Sequence, residues 1–221
     1  MKVPLVFLAA VLFCPGAMHT EEVPLTDPRR IELRSTRAET TTYRGRQALQ
    51  LTEKPAGVGQ LLAILRSHPF HDGTIDIDVA GAPSKTAAES DRGFIGIAFR
   101  MQADELHYEC IYIRPTNGRA QDQLRRNHST EYESMPDWPW HRLRKESPGV
   151  YESYADMEEG KWIHMKIVVQ GTKAALYLGN AAKPCLLIND LKLGDVQGAI
   201  ALWGGSGTDG YFANLEISNN K

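Results

Sequence analysis

Apolar residues recur at every second position over much of this chain, and sustained helical spacing does not. In 73–79, Ile75, Ile77 and Val79 share one face while Asp76 and Asp78 take the other. Segment 94–102 sets Ile95, Ile97, Phe99 and Met101 against Gly96, Ala98, Arg100 and Gln102. After a polar turn at Ala103-Asp104-Glu105, segment 106–114 returns as the second arm of a hairpin. Segments 161–170 and 173–178 make another hairpin around Gly171-Thr172, and 198–203 and 211–218 complete the series. Many short strands separated by turn signals predict an all-β fold, a β-sandwich or jelly roll.

One stretch breaks the rhythm. Residues 115–160 are polar, rich in Arg, Tyr and Trp, and without sustained alternation. A connection of that length inside a compact domain is either functional or disordered. Tyr132, Trp138, Trp140, Tyr151 and Tyr154 are costly to leave in water. The segment therefore reads as one long ordered loop folded over the concave sheet. The shorter stretch 80–92, with Gly81, Pro83, Ser84 and several charges, reads as a surface loop. No repeat or linker divides residues 21–221, which read as one domain.

Residues 1–20 carry a different pattern. Lys2 precedes an apolar run from Val3 to Phe13 broken only by Pro4, and Pro15, Gly16 and Ala17 follow. That is the plan of a signal peptide, and it predicts a secreted or periplasmic protein. A buried N-terminal strand or helix is the alternative. Cys14 raises the question of a lipid anchor, but Phe13 is bulky where such a signal takes a small residue.

With 221 residues, 42% of them hydrophobic and 24% charged, the chain is long enough for one large core. Lys and Arg number 25 against 27 Asp and Glu, for a net charge of −2. Loss of Lys2 with the leader leaves 24 basic residues against the same 27 acidic ones. No global field draws in nucleic acid. No apolar run reaches the roughly 18 residues of a membrane span. The mature chain keeps Cys110 and Cys185, for which a bridge and two buried thiols are both open. There is no Cys-x-x-Cys.

Candidate chemistry gathers on the outward face of the first hairpin. If Ile111 and Ile113 point inward, then Tyr108, Cys110, Tyr112 and Arg114 project to the other side, with Arg100 on the neighbouring strand. Gly96 and Ala98 leave room above the sheet, and Ala199, Ala201 and Trp203 repeat the alternation of small and aromatic residues. Rings stack on the C–H surfaces of sugars, while Arg and Tyr bind hydroxyls or carboxylates. The competing reading is a sandwich face simply covered by the long loop.

Six of the fifteen arginines lie between positions 114 and 144, a span without lysine, which favours two-pronged binding or ring stacking. Internal pairing with Asp122, Glu131, Glu133 and Asp137 is the plainer use for them. His128 is the leading proton-transfer candidate, with Asp122 as its partner, because imidazole titrates near neutrality. Glu109 alternates inward with Ile111, as a buried carboxylate of raised pKa or an ion-pair partner. Asn127-His128-Ser129 also matches an N-glycosylation acceptor.

No Gly-x-Ser-x-Gly elbow, His-Glu-x-x-His site, P-loop or dinucleotide fingerprint is present. Closely spaced carboxylates of the laminarinase type are not evident: Asp76 and Asp78 alternate outward without accompanying glutamates. The expectation is that a two-carboxylate glycosidase mechanism is ruled out.

Three parts of the chain resemble the concanavalin A-like lectin/glucanase superfamily. The first is Trp162-Ile163-His164-Met165-Lys166-Ile167-Val168-Val169 followed by Ala174-Ala175-Leu176-Tyr177-Leu178. The others are Gly198-Ala199-Ile200-Ala201-Leu202-Trp203 and Tyr211-Phe212-Ala213-Asn214-Leu215-Glu216-Ile217. With Asp72-Gly73-Thr74-Ile75 and Gly93-Phe94-Ile95-Gly96-Ile97-Ala98-Phe99-Arg100, the likeness spans 30–218 and is similar to the secreted 3-keto-disaccharide hydrolase domain family. That resemblance implies a jelly-roll β-sandwich of two antiparallel sheets with a glycoside bound on the concave face.

Three functions compete: a glycoside hydrolase or lyase, a non-catalytic carbohydrate-binding module, and an envelope interaction domain. For the enzyme, oxidation of the sugar at C3 acidifies a neighbouring C–H and permits elimination. The expected catalytic residues are His128 and Asp122, and the expected substrate-binding residues are Arg100, Tyr108, Tyr112, Arg114, Arg119, Tyr132 and Trp203. The expected partner is an oligosaccharide or glycoside. No cofactor or metal ligand is predicted, and a structural calcium ion is not readable from the sequence.

Overall fold

The computed structural model describes residues 19–27, 30–54 and 59–220. The predicted leader thus lies outside the described residues except for His19 and Thr20. The chain begins with β1 (His19–Val23), β2 (Glu32–Arg34), β3 (Thr36–Tyr43), β4 (Arg46–Glu53) and β5 (Leu61–Phe70). It continues through β6 (Gly73–Pro83), β7 (Ile95–Met101) and β8 (Tyr108–Ile113). Then follow a 3-10 turn (Pro115–Asn117), α1 (Gln123–Asn127), β9 (Thr130–Met135), α2 (Trp140–Glu146) and β10 (Glu152–Ser153). The last strands are β11 (Ile163–Gln170), β12 (Lys173–Leu178), β13 (Leu186–Ile188), β14 (Gly198–Gly204) and β15 (Thr208–Asn219).

Two antiparallel sheets result. One has eight strands in the order β13-β12-β11-β6-β15-β4-β3, with β1 added on β15. The other has seven, in the order β10-β9-β8-β7-β14-β5-β2. This is the jelly-roll sandwich that the alternation and the family resemblance together predict. Inward residues of both sheets form one core: Ile75, Ile77 and Val79 of β6 and Met165, Ile167 and Val169 of β11 on one side. Ile95, Ile97 and Phe99 of β7, Ile111 and Ile113 of β8, and Ile200 and Leu202 of β14 face them. Each fully buried Ile or Leu contributes about 1.5–3 kcal/mol relative to exposure. Phe70 meets Phe99 edge to face, with ring centroids 6.3 Å apart.

Several expectations need correction. Residues 115–160 are not one loop. They supply β9 and β10 to the edge of the seven-stranded sheet, and β9 pairs along its length with β8, Tyr112 opposite Glu131 and Cys110 opposite Glu133. Hydrophobicity does not alternate along this strand, because its inward residues are Thr130, Tyr132 and Ser134 and its outward ones include two glutamates. The stretches around α1 and α2, and residues 154–160, leave the sheet. Segment 80–92 is a loop only after Pro83, where β6 ends. Cys110 and Cys185 are free thiols: Cys110 is on the outer face of the seven-stranded sheet, and Cys185 packs against the main core. Among the described residues no helix is long and apolar enough to cross a membrane.

Candidate functional site

The outer face of the seven-stranded sheet carries its own apolar cluster, separate from the main core. Leu62 and Ile64 of β5, Ala98 of β7, Tyr108, Cys110 and Tyr112 of β8, and Ala201 and Trp203 of β14 make it. Gly96 sits in register between Tyr112 on one side and Trp203 on the other. The two rings close over it, stacked at 4.6 Å and 25°. With only 3% of Trp203 exposed, this floor is a packed layer and not an open platform. Tyr108, equally buried, donates its hydroxyl hydrogen to Gln60 Oε1. Trp203 Nε1 is buried without a well-formed hydrogen bond, beside the Tyr108 hydroxyl.

Above that floor a cleft of about 720 Å³ opens, within the roughly 300–1,000 Å³ of small-molecule sites. Phe94 and Trp140 line it, Trp140 being 40% exposed, and Leu124 of α1 adds an apolar edge. Arg114, the residue after β8, is buried between them. Its guanidinium carbon lies 5.6 Å from the Phe94 and Tyr112 ring centroids and 5.4 Å from that of Trp140. The guanidinium donates to the Tyr112 hydroxyl at 3.2 Å and pairs with Glu131, while its Nε has no partner.

Glu131 and Glu133 overturn the expectation that paired carboxylates are missing. They flank Tyr132 on β9, and period two turns both to the outer face. Their signal in the sequence is Glu-Tyr-Glu between Thr130 and Ser134, which places two carboxylates on one face only when the segment is a strand. Burial pushes both carboxyls up to about 7. Glu131 spans Arg114 and Arg144, whose Nη2 lies 3.2 Å from Glu131 Oε1. Glu133 lines the cleft, accepting from Gln60 Nε2 at 3.1 Å and from the Trp140 backbone N–H at 3.3 Å.

His128 also lines the cleft, but its partner is Glu152 of β10, not Asp122. Nδ1 lies 2.6 Å from Glu152 Oε2, off the line of a good hydrogen bond, so the contact counts as ionic proximity. Burial lowers the His128 pKa against the opposing pull of Glu152. Asp122 instead caps α1, accepting from the Arg125 N–H at 3.0 Å. It lines the same cleft from the other side.

Three predicted binding residues are elsewhere. Arg100 adopts a left-handed backbone, φ +53°, opposite a register shift in β14 between Ala199 and Ala201. The irregularity sends Met101 to the outer face and Arg100 into the interior at the strand ends, where it is fully buried. It donates to the carbonyls of His71 at 3.1 Å, Gly171 at 2.8 Å and Gly194 at 2.6 Å, and to Asp72 at 2.9 Å. His71, Asp72 and Asp195 bring metal-type ligand atoms within 4.8 Å of one another, yet the Arg100 guanidinium already supplies the cation there. Tyr132 faces the sandwich interior, donating to Glu109 Oε2 at 2.7 Å and accepting from the Lys192 N–H at 2.7 Å. Glu109 is buried with it, its pKa raised by that burial. Arg119 is on the exposed surface, paired with Asp156 at 2.8 Å and Glu158 at 2.5 Å. Of the expected set, Tyr112, Arg114, Asp122, His128 and Trp203 line one cleft, and Tyr108 adjoins it from below.

No family model matches the sequence, and no curated protein is similar to it by sequence. Solved structures are similar in fold. The carbohydrate binding module CBM66 from Bacillus subtilis superposes with a TM-score of 0.55 at 14% identity, over 84% of this chain and 97% of that one. A Bacillus subtilis protein of unknown function with galectin-like fold gives 0.56 at 10% identity, over 93% and 97%. Peanut lectin with a 9mer peptide gives 0.55 at 8% identity, over 92% and 97%. The chain thus shares the antiparallel β-sandwich fold of these proteins.

Proposed function

We propose that the cleft binds a glycoside and that the domain cleaves it, with Glu133 as proton donor and His128 as base. The observation that carries this reading is the meeting, in one cleft, of two aromatic walls, a caged arginine and a carboxyl held up to about 7. Phe94 and Trp140 offer ring surface to the sugar, and Arg114 supplies fixed positive charge below it.

For a 3-keto-glycoside the step balances without an added reagent. Neutral His128 takes the proton from C2, beside the ketone, and the electron pair passes to the ketone oxygen as an enolate facing Arg114. The pair then returns to form a C1=C2 bond as the C1–O bond breaks, and Glu133 protonates the departing oxygen. Glu152, 2.6 Å from His128 Nδ1, favours the imidazolium so formed. The products are a free alcohol and an unsaturated keto-sugar, to which water adds. The similarity to the 3-keto-disaccharide hydrolase family read from the strand motifs supports this choice of substrate.

The test is turnover of glycosides and their 3-keto forms by wild type, His128→Ala and Glu133→Gln. A loss of roughly 100-fold or more in either variant, with binding kept, is expected. Equal rates in all three would remove the mechanism. Binding without turnover in the wild type would favour a non-catalytic carbohydrate-binding module. That second reading draws support from the printed names of two similar structures, a carbohydrate binding module and a lectin. Under either reading we propose export, tested by N-terminal sequencing of protein from its host.

A further inference from the structure

We infer that the ligand of this cleft is an anionic glycan, and that Arg92 and Arg125 recognise a carboxylate or sulfate on the sugar unit lying at that end. The inference rests on the glycoside reading above and adds the class of substrate.

Four arginines line the cleft, and they fall into two kinds. Arg114 and Arg144 are spent internally, on Glu131 and Glu152. Arg92 and Arg125 are not. Among the described residues neither has a carboxylate in ion-pair range. Arg92 donates only to the backbone carbonyls of Glu89 and Asp91. Arg125 donates to Asn117 Oδ1 at 2.9 Å and to Thr116, at 3.1 Å to its hydroxyl and 3.5 Å to its carbonyl. Every acceptor is neutral, and each guanidinium keeps N–H donors in hand. Both side chains are half-buried, so their charge acts through less water than on an open surface.

Their placement is as telling as their pairing. Together with Asp91 they form the ridge between the cleft and an adjoining hollow of about 700 Å³. The acidic groups lining the cleft are Asp91, Asp122 and Glu133, and the adjoining hollow adds Glu89, Glu158 and Glu159. Asp122 caps α1 and Asp91 accepts the Ala88 N–H at 2.7 Å. Glu133, raised to about 7 by burial, carries a proton through much of the neutral range. Burial lowers the pKa of Arg92, and Arg125 and Arg114 lower it further against the opposing pull of Asp91 and Glu89. Planar guanidinium groups suit a flat carboxylate or a sulfate in two-pronged contact.

The test compares matched oligosaccharides, one set bearing uronate or sulfate and the other its methyl ester or desulfated form, by titration calorimetry on the full chain. The expected result is a preference for the charged member of about tenfold or more, weakening as salt rises. Arg92→Gln with Arg125→Gln should abolish that preference and leave neutral-glycan affinity within about threefold. Equal or tighter binding of neutral members overturns the inference and leaves the glycoside reading standing. No binding to either set overturns the glycoside reading itself. An unchanged melting temperature in the double variant excludes misfolding as the cause of lost preference.

Discussion

Tyr112 and Trp203 stack at 4.6 Å across a strand that neither belongs to, because the residue between them is Gly96. A Cβ at Gly96 would come within 2.6 Å of Tyr112 Cβ and 2.3 Å of the Ile111 carbonyl oxygen. Gly96→Ala is therefore expected to push the rings apart, cost about 1–3 kcal/mol and weaken glycoside affinity. Chemical denaturation and calorimetry read the two effects. An alanine variant as stable as wild type would contradict the tight packing of this floor.

Arg100 is expected to behave as a fold residue. Arg100→Met takes the guanidinium from three carbonyls and from Asp72, which keeps only the hydrogen bond from the Gly171 N–H, at a cost of about 3–5 kcal/mol. The folded fraction should keep wild-type glycoside affinity. Loss of affinity with unchanged stability would restore Arg100 to the binding site.

The Tyr132 hydroxyl joins Glu109 to the Lys192 backbone inside the sandwich. Tyr132→Phe is expected to destabilise by about 1–3 kcal/mol and to leave turnover per folded molecule unchanged. A turnover defect exceeding the loss of folded protein would show that the hydroxyl takes part in the reaction.

The raised carboxyl of Glu133 links stability to pH. A folded pKa of about 7 against an ordinary 4.5 means that the folded state holds the proton more tightly than the unfolded chain. Its contribution is complete below about pH 4.5 and is lost as pH rises through 7. Relative to Glu133→Gln, the wild type should lose roughly 2–3 kcal/mol between pH 4.5 and 8. Parallel stability curves for the two proteins would show that the carboxyl is not perturbed.

Activity should follow a narrow bell. The acid limb reports His128, lowered from its ordinary 6.5, and the alkaline limb reports Glu133 near 7. Glu133→Gln should flatten the alkaline limb, as rates between pH 5 and 9 would reveal. A wild-type profile flat over that range would separate both groups from catalysis.

Strand alternation alone determined the sandwich. Ile75, Ile77 and Val79, or Ile200 and Leu202, must share a buried face, and side chains along a strand permit no other assignment. The outward placement of Tyr108, Tyr112, Arg114 and Trp203 followed from the same period. What tertiary structure decided is everything that local pattern does not encode. One left-handed residue opposite a bulge took Arg100 out of the face that alternation assigned to it. The β9 strand, polar on one face and acidic on the other, forms because β8 supplies its backbone partners and Arg114 and Arg144 supply its counter-charges. His128 meets Glu152 and not Asp122 because β10 pairs with β9, Glu152 opposite Glu131, a proximity between residues distant in sequence that only the closed sheet creates. Hydrophobic periodicity is a local quantity; ion pairs, burial and raised pKa values arise from neighbours distant in sequence.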